Sequence, residues 1–436
     1  SILVLLEQLD ALLPRCPDAG MALTNLDRFL SAQTDPEPIL ANLRRSERTA
    51  EALIQVFSTS QYFSELIIRD PSVLGWLRSG PERRDRDGLF ESLWESVLLD
   101  QGDEAQKLAI RWFRQRQMLR IGYNDIVRGL PLEVITQDLS NLADACVEAA
   151  VRIARAHAVA RHGEARRKDG RPMRFVVMAL GKLGGEELNY SSDIDLIYLY
   201  EGEGDTSGPR SVSNAEFFAR IGGEVVRILT DHTALGPAYR VDMRLRPEGD
   251  QGPLARSLES TLGYYVTSGR TWERQALIKA RPIAGDLSLG DEFLAAITPF
   301  VYRRYLGAVE IGEIQAMKRR IEALTQSAGA EEFEVKTGRG GIRDVEFVVQ
   351  FLQLLHGGGE PRVRHANTLV ALDRLEQVGC VDAEERGAME DTYRFLRKVE
   401  HRLQTMFDRQ THEMPRKPEE QRTLAIRMGY PPASAW

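Results

Sequence analysis

Three aspartates carry the chemistry that this sequence could perform. Asp193 and Asp195 open an apolar run, Ile194 to Tyr200, and Asp242 lies inside RVDMRLRP (240–247). Residues two apart on a strand point to one face, roughly 6–7 Å apart along the backbone, so Asp193 and Asp195 present two carboxylates together. An apolar strand has no structural reason to bury two like charges. Hard oxygen ligands suit Mg²⁺, which keeps waters and substrate phosphates in its shell. Two such ions, about 3.5–4 Å apart, stabilise the attacking and leaving oxygens of a displacement at phosphorus. The bland alternative is a strand end at the surface, and three features weigh against it. Gly184 and Gly185 permit close backbone approach to a phosphate. Ser191 and Ser192 supply small hydroxyls beside the acids, and Asp242 alternates with Arg240, Arg244 and Arg246. The period-two rule places Asp242, Arg244 and Arg246 on one strand face.

The elements that must position these groups follow from periodicity. Up to about residue 165 the pattern is helical, with Leu40, Leu43, Ala50, Leu53 and Phe57 at three- and four-residue steps and Ser58 or Ser60 as a cap. Asp70-Pro71 punctuates the next helix. A longer helix is predicted from Glu104 to about Ile126, with Arg111, Arg114, Arg116 and Arg120 expected on a solvated face; contact with a phosphate or an acidic partner is the competing reading. Leu139, Leu142, Cys146, Ala150 and Ile153 form an apolar stripe, which makes Cys146 a core residue. RHGEARRKDGRP (161–172) is a charged, Gly/Pro-terminated break, after which the period changes. Strands are predicted at Phe175–Leu180, Ile194–Tyr200 and Tyr239–Leu245, with a helix over Asn214–Thr230. Helical period returns from about Glu292, notably over Gly341–His356 and around Thr392–Met406. The fold class is α+β and mostly helical, with a small mixed sheet. The expected organisation is a helical region over 1–130, a sheet-bearing domain over 131–290 that would carry the acidic site, and a helical bundle over 291–436.

Composition narrows the classes further. The chain has 436 residues with 57 Lys+Arg against 64 Asp+Glu, a net charge of −7, which argues against wrapping a nucleic-acid backbone. No apolar run approaches the roughly 20 residues that span a bilayer. The three cysteines form no CxxC pair, so a reducing, cytoplasmic setting is expected. GxxxxGK[ST] is absent and GKLGG makes no GxGxxG fingerprint. The seven histidines are scattered without ligand spacing. The start without Met and the end at PPASAW suggest a piece of something longer.

A glycine pair, then two aspartates opening a strand, then a third on a later strand resembles the nucleotidyltransferase superfamily with a polymerase-beta-like catalytic fold. ALGKLGGEELNYSSDIDLIYLY, YRVDMRLRPEGDQGPLARS, WERQALIKARPIAGD, FVYRRYL and GRGGIRDVEFVVQFLQLLHGG are together similar to the glutamine synthetase adenylyltransferase family. FRQRQMLRIGYNDI upstream and FLRKVEHRLQ downstream extend the likeness over nearly all the chain. That family carries two homologous units. The resemblance implies that one removes AMP from a modified tyrosine of glutamine synthetase by phosphorolysis, releasing ADP, and that the other attaches AMP from ATP. Met243 in VDMRLRP, GDQGPL, WERQALIKAR, Asn189 in ELNYSSD and TSQYFSELIIRDPSVLGWL are closer to the N-terminal, AMP-removing unit.

The resemblance implies a site as well. Asp193 and Asp195 would be the principal Mg²⁺ ligands, with Asp242 completing the set or orienting the attacking group. Gly184, Gly185, Ser191 and Ser192 would bind phosphate or nucleotide. Arg244 and Arg246, then Lys182, would balance the charge of the incoming phosphate, and Lys279 and Arg281 could reach the same cleft. Arg343, Asp344 and Glu346 of GRGGIRDVEF fit either an anion site at a helix start or a buried polar network. Implied partners are adenylylated glutamine synthetase and the PII signalling protein, with no nucleic acid and no membrane. The alternatives are the sister activity, adenylylation with ATP, and a catalytically silent regulatory module.

Overall fold

The computed structural model describes residues 2–75, 82–97, 102–167, 169–304, 307, 311–312, 315–316, 319, 334–407 and 411–431. The ends of TSQYFSELIIRDPSVLGWL (76–77), FVYRRYL (305–306) and the chain itself (432–436) lie outside these. The architecture is a mostly helical α+β chain around one small mixed sheet.

Five strands build that sheet: β1 (Phe175–Leu180), β2 (Ile194–Tyr200), β3 (Val241–Asp242), β4 (Ala255–Ser257) and β5 (Arg281–Gly285). β1 is central, antiparallel to both β2 and β5, while β3 and β4 lie in turn along the far edge of β2, parallel to it. The unbroken apolar runs of β1 and β2 exist because both faces are covered. Phe175, Val177, Ala179, Leu196 and Tyr198 face one core, and Val176, Met178, Leu180, Ile197 and Leu199 face another. The first core is continuous from Leu9 in the N-terminal helices to Ala284 in β5. The second is closed by the Leu287–Val301 and Ile342–His356 helices. β5 escaped the sequence reading because Pro282 interrupts it, which an edge strand tolerates.

The Leu132–His162 helix is the main support of the first face, with Leu139, Leu142, Cys146, Ala150 and Ile153 buried as expected. Ser60, not Ser58, caps Gln61–Arg69: its Oγ accepts the Phe63 N–H at 3.3 Å, while Ser58 donates back to the Gln55 carbonyl. Along Ala383–Phe407, Leu396 packs inward and Phe395 points to solvent.

Two expectations need correction. The arginines of Asp103–Ile126 do not form a solvated face. Arg111 is buried and donates to the carbonyls of Lys107, Asp231 and Gly236, and Arg120 is buried against Asp138. A spacing rule sees charge on one helix face but not the neighbouring turn whose carbonyls absorb it. The third strand is also far shorter than Tyr239–Leu245. It ends at Asp242, whose carboxylate accepts the backbone N–H of Arg244 at 2.8 Å and turns the chain.

Candidate active site

Register brings two of the three aspartates together. In the parallel β2–β3 pair Asp195 stands opposite Asp242, and neighbouring strands lie about 4.8 Å apart. Asp193 immediately precedes β2. Burial, then the charges of Asp242 and Asp193, push the Asp195 carboxyl up to about 6, an acidic site short of compensating charge. Gly181 turns the chain out of β1 with φ +56°, and a Cβ there would collide with Asp195 Oδ2. This glycine, which the sequence reading passed over, is the one required by the acid.

The outer aspartates hold arginines. Asp193 pairs with Arg240, whose Nη2 also donates to the Ser191 carbonyl at 3.0 Å. Asp242 accepts from Arg244 Nε at 3.0 Å and Nη2 at 2.6 Å, which together with the turn N–H holds its carboxyl below the usual range. Arg246 is not on the same face. It is buried in the turn, donating to the Met243 carbonyl at 2.7 Å and the Gly252 carbonyl at 3.3 Å. That follows from the strand ending at Asp242. With the outer carboxylates folded onto their arginines, no group of three ligating side chains among the described residues stands ready around a metal ion. The donor set is nonetheless all carboxylate oxygen, the chemistry that Mg²⁺ takes.

The remaining predicted residues have protein partners. A Cβ on Gly184 would strike the Lys279 carbonyl, and one on Gly185 would crowd Glu187 and the Ala366 carbonyl, so both glycines serve close packing here. The Ser191 N–H donates to Gln404 Oε1 at 3.1 Å, and Ser192 is half-buried. Lys182 Nζ lies 3.1 Å from Glu400; burial lowers this ammonium to about 8 in spite of that partner. Lys279 pairs with Glu187, and Arg281 Nη1 with Asp144 at 2.6 Å, so neither reaches the aspartates.

A polar network missed in the sequence fastens the loop between β1 and β2 to the Ala383–Phe407 helix. Arg397 donates to the Glu187 carbonyl and to Asn189 Oδ1, and His401 Nε2 meets the same oxygen at 3.2 Å. Arg402 pairs with Asp125, which also accepts from Tyr190 Oη. Glu346 accepts from Tyr393 Oη at 3.2 Å, and Gln350 meets Gln275, which favours the network reading of GRGGIRDVEF. Lys336, also missed, lies near enough to bear electrostatically on both Asp195 and Lys182. The signal in FLRKVEHRLQ was there: Arg397, Glu400, His401 and Gln404 share one stripe at helical spacing.

Comparison with known proteins narrows the identity. Residues 50–296 match the family described as glutamate-ammonia ligase adenylyltransferase, and residues 312–436 match the GlnD PII-uridylyltransferase family. A relative from Thioalkalivibrio sulfidiphilus is 40% identical over 385 residues, covering 87% of this chain and 39% of the relative. One from Pseudomonas aeruginosa is 38% identical over 425 residues, covering 96% and 43%. Both are named bifunctional glutamine synthetase adenylyltransferase/adenylyl-removing enzyme. The chain spans about two fifths of the length of these curated relatives. No helix among the described residues is long and apolar enough to cross a membrane. With more than half of its residues matching the family and two-fifths identity to its named members, the chain belongs to the glutamate-ammonia ligase adenylyltransferase family.

Proposed function

We propose that this unit removes AMP from the adenylylated tyrosine of glutamine synthetase by phosphorolysis, giving ADP and the unmodified tyrosine. The observation that carries the reading is the register pairing of Asp195 with Asp242, which holds a half-buried, charge-crowded carboxyl beside a second on the next strand. Asp193, Asp195 and Asp242 would hold Mg²⁺, which supplies electrostatic stabilisation of phosphoryl oxygens when bound. In the reaction an oxygen of inorganic phosphate forms a bond to the AMP phosphorus, the bond from that phosphorus to the tyrosine oxygen breaks, and the phenolate leaves to be protonated by water. A phenolate has a pKa near 10, so no strong general acid is required.

The chain's own residues manage the charge. Arg240, half-exposed, and Arg244, exposed, sit at the rim engaged with Asp193 and Asp242, and both guanidiniums can turn to an incoming phosphate when those carboxylates take a cation. Lys336 bears on Asp195, Lys182 is held by Glu400 near Lys336, and Arg246 keeps the turn that aims Asp242. The catalytic domain is assigned to 131–290, with helical regions over 1–130 and 291–436, and PII as a regulatory partner through the C-terminal region. The choice of removal over attachment rests on the words around Asn189, Met243 and 249–254. Incubating the chain with adenylylated glutamine synthetase, Mg²⁺ and phosphate tests it: ADP should appear. Incorporation of AMP from ATP without ADP release would reverse the assignment, and neither activity would leave a silent regulatory module.

A further inference from the structure

Of the four arginines on the Asp103–Ile126 helix, three have polar partners that account for them. Arg111 holds carbonyls, Arg116 pairs with Asp70 and Arg120 with Asp138. Arg114 differs. Its guanidinium lies 4.7 Å from the centre of the Tyr239 ring and meets that residue's hydroxyl, but no carboxylate pairs with it among the described residues, and its Nε has no hydrogen-bond partner. Removing such a cation from water is costly unless something anionic meets it.

Arg114 lines a cavity of about 170 Å³ between the N-terminal helices, the loop entering β2 and the Ala383–Phe407 helix. Gln115 and Gln404 share its wall, both buried, at 7% and 2% exposure, with Gln115 Oε1 and Gln404 Nε2 unpartnered. Phe63 and Tyr190 supply apolar surface. None of Asp193, Asp195 and Asp242 lines it, so this volume is separate from the acidic pair. A cavity of about 150 Å³ accepts a benzene-sized molecule.

We propose that this cavity is a binding site for a small organic carboxylate of about six to ten non-hydrogen atoms, the size that such a cavity takes, with its carboxylate on Arg114 and its polar remainder on Gln115 and Gln404. Ser191 also lines the cavity, and its N–H is held by Gln404, two residues before Asp193. An occupant that engages Gln404 therefore bears on the strand entry that carries the acids. The site stands whether or not phosphorolysis is the reaction.

Calorimetric titration of the whole chain with butyrate, succinate and benzoate, each against its neutral amide, tests the proposal. At least one carboxylate should saturate a single site, with affinity lowered about tenfold or more for the amide and for Arg114→Gln, the scale of one lost charged hydrogen bond. Arg114→Lys should retain most of it. As a second variant that keeps the Arg114 contacts, Gln404→Leu probes the opposite wall and should weaken binding while melting as a folded protein. Absence of saturable binding by all three carboxylates, equal binding of the amides, or unchanged affinity in the two folded variants would overturn the site. Phosphate bound through Arg114 in place of every carboxylate would overturn the ligand class. Binding lost in Asp195→Asn but kept in Arg114→Gln would place the ligand at the acids instead, and would also overturn it.

Discussion

Asp195 is costly to the folded chain, and that cost is informative. Its carboxyl is half-buried beside two others, so Asp195→Asn relieves both desolvation and repulsion. The variant should melt at the same temperature as the parent or a few degrees higher, by circular dichroism, while ADP release falls about 10²-fold or more. A fall in both together would mean that the acid is structural. The neighbouring arginines separate in the same way. Arg246→Ala strands two carbonyls in the turn and should destabilise by about 1–3 kcal/mol in urea titration. Arg240→Ala, at a half-exposed pair, should cost under about 1 kcal/mol yet raise the KM for phosphate. If Arg240→Ala leaves that KM alone, its guanidinium has no part in phosphate binding.

At the scale of elements, two junctions decide the site. The first is the turn out of β1. Gly181→Ala meets both a positive φ and Asp195 Oδ2, so it should lose about 1–3 kcal/mol together with most activity, because the acid must move. Gly129, with open space around it and a similar φ, is the control: Gly129→Ala pays only the backbone strain and should retain activity. The second junction is the Ala383–Phe407 helix. Glu400 is fully buried, and Lys182, His412 and Arg397 hold its carboxyl well below the usual range. The sign follows from linkage: a depressed native pKa contributes stability that is complete above the unfolded value near 4.3 and is lost as pH falls toward the native one. Glu400→Gln leaves buried cations uncompensated and should cost about 3–5 kcal/mol at neutral pH. Its stability should also fall less steeply than the parent's below about pH 4.5, as read from denaturant midpoints across pH.

Over the whole molecule, the sheet divides two cores, and the acids sit where its end meets the loop tied to the Ala383–Phe407 helix. Removing residues 381–436 would strip Lys182, Asn189 and the Ser191 N–H of their partners on that helix. Amides in 187–192 should then exchange with solvent much faster, by hydrogen-exchange mass spectrometry, while those of β1 stay protected. Equal protection in the truncated chain would show that the loop orders itself.

Local pattern sufficed for much of this. The continuous apolar runs determined β1 and β2, three- and four-residue steps determined the long helices, and the order of glycines and aspartates marked the acidic site. These are short-range properties, set by the 2.0 and 3.6 periods of the backbone and by side-chain polarity. What each charged group faces was left to tertiary structure. Arg246 turned into a loop because Asp242 ends its strand, Lys182 found Glu400 across more than two hundred residues, and Gly181 rather than Gly184 lies against Asp195. Only the packed chain decides such partnerships, because a buried charge takes whichever counter-charge or carbonyl the fold brings within reach.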